Sequence, residues 1–137
     1  MAHEATLYIE TSPAIPFTVA DAVGIEKGRT LKLVDPMAVS GSNAAADVVG
    51  GIAASEKIAS DGKVKLGVYR GGVFKVYLSG ACTAGDPAVL DAATNYFKTA
   101  SLVALSGSVV AGTFFEDGTN GQTVFMELNP YTPSSAL

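Results

Sequence analysis

Two runs of alternating apolar and polar side chains, residues 63–69 and 73–78, flank the sequence Arg70-Gly71-Gly72. Alternation with a period of two is typical of a β-strand that buries one face. A glycine-containing connection between two such runs is typical of a β-hairpin. This stretch therefore predicts a hairpin and, with it, a small all-β protein.

Other short apolar runs end at residues that form turns. Residues 30–34 predict a strand that stops at Asp35-Pro36, because proline and aspartate favour turns. Residues 48–54 are apolar but interrupted by Gly50-Gly51. Glycines in such a run predict a buried strand with a bulge or a close approach of the backbone.

The C-terminal half contains a second predicted hairpin and one ambiguous region. Residues 109–115 and 123–128 predict two paired strands, and Asn120-Gly121 supplies residues that tolerate the positive φ of a tight turn. Asp86-Pro87 could cap and begin a helix that runs towards residue 100. The chain is thus predicted to be mainly β, with at most one short helix.

A faint internal repeat relates residues 24–31 to residues 81–89. Each segment places a glycine turn shortly before the start of an apolar strand. Two similar turns are compatible with a compact barrel of paired β-units.

Composition limits the classes of partner. The 137 residues, of which 48% are hydrophobic and 16% charged, carry a formal net charge of −4. Ordinary soluble domains are about 25% charged, so the deficit favours an oligomer or a packed assembly. An acidic chain does not favour nucleic acid, which is bound through clustered lysine and arginine.

A single cysteine, Cys82, excludes an internal disulfide and is expected to be a small buried apolar residue. The first residues lack a basic segment followed by an apolar one, and no stretch approaches the roughly 18 apolar residues of a membrane span. We therefore expect synthesis in a cytoplasm and no membrane partner.

The sequence offers no assembled catalytic constellation. The one histidine, His3, has no second ligand at metal spacing and is expected to be an incidental solvent-exposed residue. There is no nucleophile elbow, phosphate-binding glycine loop or dinucleotide fingerprint. The chain is therefore predicted not to be an enzyme, with no metal and no cofactor.

Acidic residues provide only weak alternatives. Residues 117–121 superficially resemble a calcium loop but lack alternating acidic ligands and a late glutamate, so a plain turn is expected. A carboxylate pair for glycoside hydrolysis could in principle come from four residues, but a pair needs a geometry that sequence alone does not give. These residues are Asp86, Asp91, Glu116 and Glu127.

The N-terminal 16 residues contain a short alternating run and two prolines, which predicts an extended arm. It can be an ordinary edge strand of the domain, or a segment that adds to the sheet of another protein. We predict this arm over residues 1–16, a single β domain over 17–130 and a tail over 131–137.

Three segments, residues 24–36, 51–63 and 67–75, together resemble the head decoration proteins of tailed bacteriophages, of the lambda D-like type. Their order along the chain is similar to that family too. The likeness continues through Gly85-Asp86-Pro87-Ala88-Val89, Asn95-Tyr96 and the final strand at 124–129. It covers nearly the whole chain from about residue 14.

The resemblance implies a small β-clip-like or β-tulip-like barrel that forms a homotrimer on the outer surface of an expanded capsid. There it would clamp neighbouring major capsid subunits, and the N-terminal arm would order on binding. It also implies that residues 91–100 are extended. By position, the capsid-binding arm would consist of Thr6, Leu7, Tyr8, Ile9, Glu10, Thr11, Ser12 and Pro13.

Two other functions stay open at this point. The chain could be a different β-rich virion accessory, such as a tail or fibre protein. It could also be a small-ligand-binding module or an enzyme on a β-clip scaffold, because such scaffolds host unrelated functions.

Overall fold

The computed structural model describes residues 3–44, 47–91, 95–100 and 110–131. In this part of the chain all regular structure is β, in eleven strands, and there is no helix. The prediction of a mainly β protein built on a small barrel is confirmed. Among the described residues there is likewise no helix that could span a membrane.

The strands form two small closed barrels rather than one. The strand bounds are β1 Thr6–Ile9, β2 Ile15–Thr18, β3 Thr30–Val34, β4 Ala38–Gly41, β5 Val49–Ala53, β6 Lys65–Tyr69, β7 Gly72–Leu78, β8 Pro87–Leu90, β9 Tyr96–Thr99, β10 Val110–Phe114 and β11 Thr123–Tyr131. The first barrel contains β2 to β6, and the second contains β7 to β11, with β1 added to the edge of β7.

The two barrels share one topology. In each, the first strand runs parallel to the third and antiparallel to the fifth. The second strand runs antiparallel to the third and the fourth, and the fourth antiparallel to the fifth. The chain is therefore an internal duplication of one five-stranded unit.

The strand register is duplicated as well. The parallel pair Thr18–Ala38 in the first barrel corresponds to Tyr77–Tyr96 in the second. The isolated bridge Ile25–Lys57 corresponds to Cys82–Gly118. The faint repeat in the sequence thus marks a real structural repeat.

The glycine turns noted in the sequence occupy equivalent places in the two units. Gly28 donates its N–H to Ala53 O over 2.9 Å, and Gly85 donates to Phe114 O over 2.7 Å. Both glycines have positive φ, 81° and 96°. Only glycine adopts this conformation without a steric cost, which explains why it recurs here.

Each barrel has its own apolar core. That of the first barrel contains Phe17, Val19, Ile25, Leu31, Val39, Ala53, Leu66 and Val68. That of the second is larger and also includes Val49 and Ile52 of β5. Every residue of β5 is buried, because one face closes the first barrel and the other packs on the second. A strand buried on both faces has no polar side to alternate.

The glycines in β5 have the predicted role. The register shifts where β5 pairs with β3, between Leu31 and Lys32. A side chain at Gly51, whose φ is 141°, would collide with the carbonyl oxygen of Tyr69. The equivalent Gly112 faces the carbonyl oxygen of Glu127 in the same way. The close approach of two backbones requires glycine in both units.

The predicted hairpin over residues 63–78 is wrong in its pairing. Both strands exist as β6 and β7, but β6 pairs with β2 and β5, and β7 pairs with β1, β9 and β11. Arg70 and Gly71 carry the chain from one barrel to the other, and Arg70 Nη1 donates to Val49 O and Gly50 O. Alternation identifies a strand but not its partner.

The helix considered over residues 86–100 is also wrong. The structure describes this segment except for residues 92–94, and the described part is not helical. β8 and β9 lie there, paired antiparallel, so the extended conformation implied by the resemblance is found. Asp86 caps a turn, because its carboxylate accepts from Thr83 N at 2.9 Å. The C-terminal hairpin is confirmed, since β10 pairs antiparallel with β11.

The predicted limits of arm, domain and tail can be placed on these strands. The limit after residue 16 falls inside β2, and the limit at residue 131 falls on the last residue of β11. That residues 17–130 form a single domain stays a prediction.

One buried amide connects the two units with the start of the chain. Asn95 Oδ1 accepts from Thr30 N at 2.9 Å and from Thr30 Oγ1 at 3.1 Å. Its Nδ2 donates to Gly28 O at 2.7 Å and to His3 O at 3.2 Å. Asn95 belongs to the second unit and Thr30 to the first, so this side chain fixes one barrel against the other.

We predict that Asn95→Ala lowers the free energy of unfolding by about 3 kcal/mol, because each buried group left without a partner costs about 1–3 kcal/mol. Urea denaturation measures the change. The matched control Asn43→Ala, at an exposed position that bonds Lys32, should cost only about 0.5 kcal/mol. Equal losses in the two variants would contradict the connecting role of Asn95.

Candidate protein-binding surface

The N-terminal segment forms the edge strand β1. It pairs antiparallel with β7, with Thr6 opposite Lys75 and Leu7 opposite Phe74. Within the described ranges no strand pairs with the other edge of β1. The N–H of Ala5 donates to Gly28 O over 3.2 Å and fixes the start of the strand on the first barrel. One edge of β1 is thus used internally and the other faces outward.

The side chains of β1 divide into a packed set and an exposed set. Leu7 packs on the core of the second barrel. Tyr8 is 65% exposed and Ile9 50% exposed. The ring of Tyr8 lies 4.6 Å from that of Phe125 on β11. Apolar side chains therefore surround a free strand edge, a combination found at sites of strand addition.

The eight residues predicted to bind a capsid are brought together on this side of the molecule. Thr6–Ile9 form β1, and residues 10–13 form an exposed loop that leads to β2. The loop rests on Gly71, where an added Cβ would lie 2.9 Å from Ser12 Oγ and 3.3 Å from Thr11 Oγ1. Seven of the eight are exposed, and Leu7 is half-buried. Their role in binding stays a prediction.

The expectation for His3 is wrong. Its ring lies 4.4 Å from that of Tyr96 and 4.9 Å from that of Tyr77. Its Nε2 is 3.0 Å from the Tyr96 hydroxyl, a hydrogen-bonding distance. The residue holds the start of the chain against the second barrel. No periodic pattern in the sequence indicates such a contact, because its partners lie more than 70 residues away.

An open depression of about 1190 Å³ lies beside the first barrel. Arg29, Lys32, Ile58 and Tyr96 contribute to its lining, and Lys57 forms part of its wall. The Lys57 ammonium is buried, donating to Asp61 Oδ1 at 2.6 Å and Asp21 Oδ1 at 3.0 Å. It also donates to Ile58 O at 2.7 Å. This cation is occupied in fastening two loops and is not presented to a ligand.

The contacts of Lys57 shift two pKa values. Burial by itself lowers the pKa of the Lys57 ammonium, but hydrogen bonds to Asp61 and Asp21 outweigh it and raise that pKa above its usual value. The hydrogen bond from Lys57, aided by the Lys63 N–H, lowers the pKa of the Asp61 carboxyl. Both shifts favour the charged pair in the folded state.

The other chemical groups singled out in the sequence serve local structure. Cys82 is buried as expected, and burial raises the pKa of its thiol. Asp117 Oδ1 accepts from Ala84 N at 2.8 Å in a turn. Within the described ranges, no three side chains of His, Cys, Asp or Glu are grouped to hold a metal ion.

Three of the four carboxylates considered for hydrolysis are engaged by different neighbours. Asp86 bonds Thr83 and Thr99, whereas Asp91 accepts from Ser79 Oγ at 2.5 Å and lies 3.5 Å from Lys98 Nζ. Glu116 accepts from Phe125 N at 2.8 Å.

No protein-family model and no curated protein matches this chain. Among solved structures, the fold is similar to the N base of head fiber gp8.5 in bacteriophage phi29, with a TM-score of 0.55 and 15% sequence identity. The match covers 84% of this chain and 93% of that one. At this identity the likeness establishes the fold alone.

We predict that Asp61→Asn destabilises the protein at neutral pH, and that the deficit shrinks as the pH falls below about 4. The reason is that the Asp61 pKa is lowered by folding. Its contribution is present above the unfolded value of about 3.9 and is lost as the pH falls through the folded value. Thermal melting from pH 7 to pH 2 measures the difference. Glu56→Gln, at an exposed neighbouring carboxylate, is the control and should follow the wild type throughout.

Proposed function

We propose that the protein is a structural component of a bacteriophage virion that binds the outer surface of the expanded head as a trimer. In this role it stabilises the head against the pressure of the packaged DNA, and it is neither an enzyme nor dependent on a cofactor. Its partners are the major capsid protein and further copies of itself, without nucleic acid or membrane. The observation that carries the proposal is the free edge of β1 with Tyr8 and Ile9 exposed beside it.

Two likenesses support this assignment. The ordered sequence segments resemble head decoration proteins, and the fold is similar to the base of a head fiber. Both point to a protein attached to a phage head. The first rests on sequence segments and the second on the path of the backbone.

The surface suits binding by strand addition. An extended segment of the capsid protein can pair with the outer edge of β1, where main-chain hydrogen bonds give affinity and exposed side chains give specificity. Tyr8 and its neighbour Phe125 offer a broad apolar contact on one face. Large aromatic side chains are enriched at the centres of protein interfaces.

The stabilisation of the head follows from the linkage between binding and assembly. A ligand that binds the assembled head and not its separated subunits stabilises the assembly by RT ln(1 + L/Kd) per site, where L is the free ligand concentration. A trimer strengthens each contact, because once one arm is bound the others act at a high effective concentration. Modest affinity per arm is therefore sufficient.

A second candidate is the base of a fibre on the head, favoured by the likeness of the fold to the N base of a head fiber. This candidate also binds heads, but it does not need to raise the temperature at which DNA is released. A small-ligand-binding module is the third alternative, and it requires a ligand in the hollow near Arg29 and Lys32.

The protein is predicted to co-sediment saturably with expanded heads of its own phage that have been stripped of it, and to raise their temperature of DNA release. Unexpanded heads are the control and should bind much less. Equilibrium sedimentation of the free protein should give the mass of three chains. Binding without a raised release temperature would favour the fibre base, and no binding to either head form would refute a head-associated role.

Tyr8→Asp is predicted to weaken binding to expanded heads by about tenfold or more, equivalent to about 1.4 kcal/mol. A charge placed beside the strand edge has to be desolvated when the partner binds. The matched control is Ile58→Asp, at a side chain of similar exposure, 62%, on a loop of the first barrel. Equal binding by the two variants at unchanged melting temperature would exclude β1 as the contact.

A further inference from the structure

The internal duplication allows the two barrels to be compared position by position. Val68 pairs with Ile15 and Ala53 in the first barrel, as Met126 pairs with Phe74 and Phe114 in the second. Ile15 on β2 is therefore equivalent to Phe74 on β7. By the same register, residues 14–16 correspond to residues 73–75.

This comparison reveals a difference between the two units. In the second barrel the edge of β7 at residues 73–75 is covered by β1. In the first barrel the equivalent edge of β2, at residues 14–16, has no strand partner among the described residues, and β4 pairs only further along, at Thr18. The second barrel thus has a sixth strand, β1, whereas the equivalent edge of the first barrel is uncovered.

Side-chain exposure also differs at equivalent positions. Phe74 and Leu90 in the second barrel are each 1% exposed. Ile15 and Leu33, which occupy the same positions in the first barrel, are each 40% exposed. The first barrel thus presents apolar side chains that its twin buries.

A pocket of about 460 Å³ lies beside Leu33. Phe17, Leu33, Val34 and Met37 supply its apolar lining, and Asp35 and Arg70 are the charged residues that line it. Met37 is 60% exposed. The pocket is large enough for one or two aliphatic or aromatic side chains of a bound segment.

We propose that the edge of β2 and this pocket bind an extended strand of the capsid protein, antiparallel to β2, with an aliphatic side chain in the pocket. The inference rests on the proposed function and adds a second contact to it. The chemistry of the occupant is taken from the twin site, where the strand Thr6–Ile9 lies antiparallel to β7 and packs Leu7 on the core.

β1, the strand that covers the twin edge, is not free to cover this one as well. β1 of the same chain is already paired with β7 and bonded through Ala5 to the first barrel. β1 of a second copy is held in the same way and would have to leave its own sheet. Pro16 provides no N–H to an added strand, so the apolar pocket contributes a large part of the affinity.

Charged substitutions in the pocket test the proposal. Met37→Asp and Leu33→Asp are expected to weaken binding to expanded heads about tenfold, and each tenfold corresponds to about 1.4 kcal/mol. Val23→Asp, at a 56% exposed side chain on a different loop of the first barrel, is the control and should bind like the wild type. Melting temperature and sedimentation mass are measured for each variant. If Leu33→Asp fails to fold, Met37→Asp decides, because its side chain is already mostly in solvent.

A photo-crosslinking amino acid placed at Met37 identifies the occupant directly. Cross-links to one segment of the capsid protein support the proposal. If the wild type does not bind heads at all, the proposed function itself fails. If the wild type binds and both pocket variants bind as well as it does, the head-binding role survives and this second contact is refuted. The same conclusion follows if the cross-links join two copies of this chain.

Discussion

The buried side chain of Asn95 is the contact on which the arrangement of the molecule depends. Its amide satisfies the backbone N–H of Thr30 and the carbonyls of Gly28 and His3, which come from three separate parts of the fold. Buried backbone groups need partners, so an apolar side chain of similar size could not replace it. Because His3 precedes the segment that leads into β1, the same amide, together with the bond from Ala5 N to Gly28 O, also holds the start of β1 in place.

The duplication explains why the two barrels are alike and also why they differ. Both units repeat the same strand pairings and the same close approach at Gly51 and Gly112. A single chain has only one N-terminal strand, however, and it covers β7 rather than β2. Packing between the units is also one-sided, because β5 contributes Val49 and Ile52 to the core of the second barrel. Two units of the same topology therefore give a molecule in which the edge of β7 is covered and the equivalent edge of β2 is not.

Sequence reasoning located the strands better than their partners. Alternation over 65–69 and 72–78 identified β6 and β7, but nothing local shows that they belong to different barrels, since their pairing depends on β2 and β11. Asp86-Pro87 fits a helix start as well as a capped turn, and only tertiary pairing with β10 decides between them.

The exposed N-terminal segment was identified from its short alternating run and its prolines. The uncovered edge of β2 was missed, because it becomes visible only when Ile15 is compared with Phe74 across the repeat. A closer alignment of the two glycine turns would have been the signal.

Exposed strand edges usually lead to indiscriminate pairing, and natural proteins guard them with bulges, prolines and charges. Both edges of this protein carry such guards: β1 has a register shift between Leu7 and Ile9, and β2 contains Pro16. These features limit the number of main-chain hydrogen bonds that any added strand can make. Recognition at both edges must then depend on the apolar side chains beside them, which are exposed in a chain of low charge. That combination discriminates against arbitrary strands while it retains those with the right side chains, as the proposed binding to one repeating surface requires.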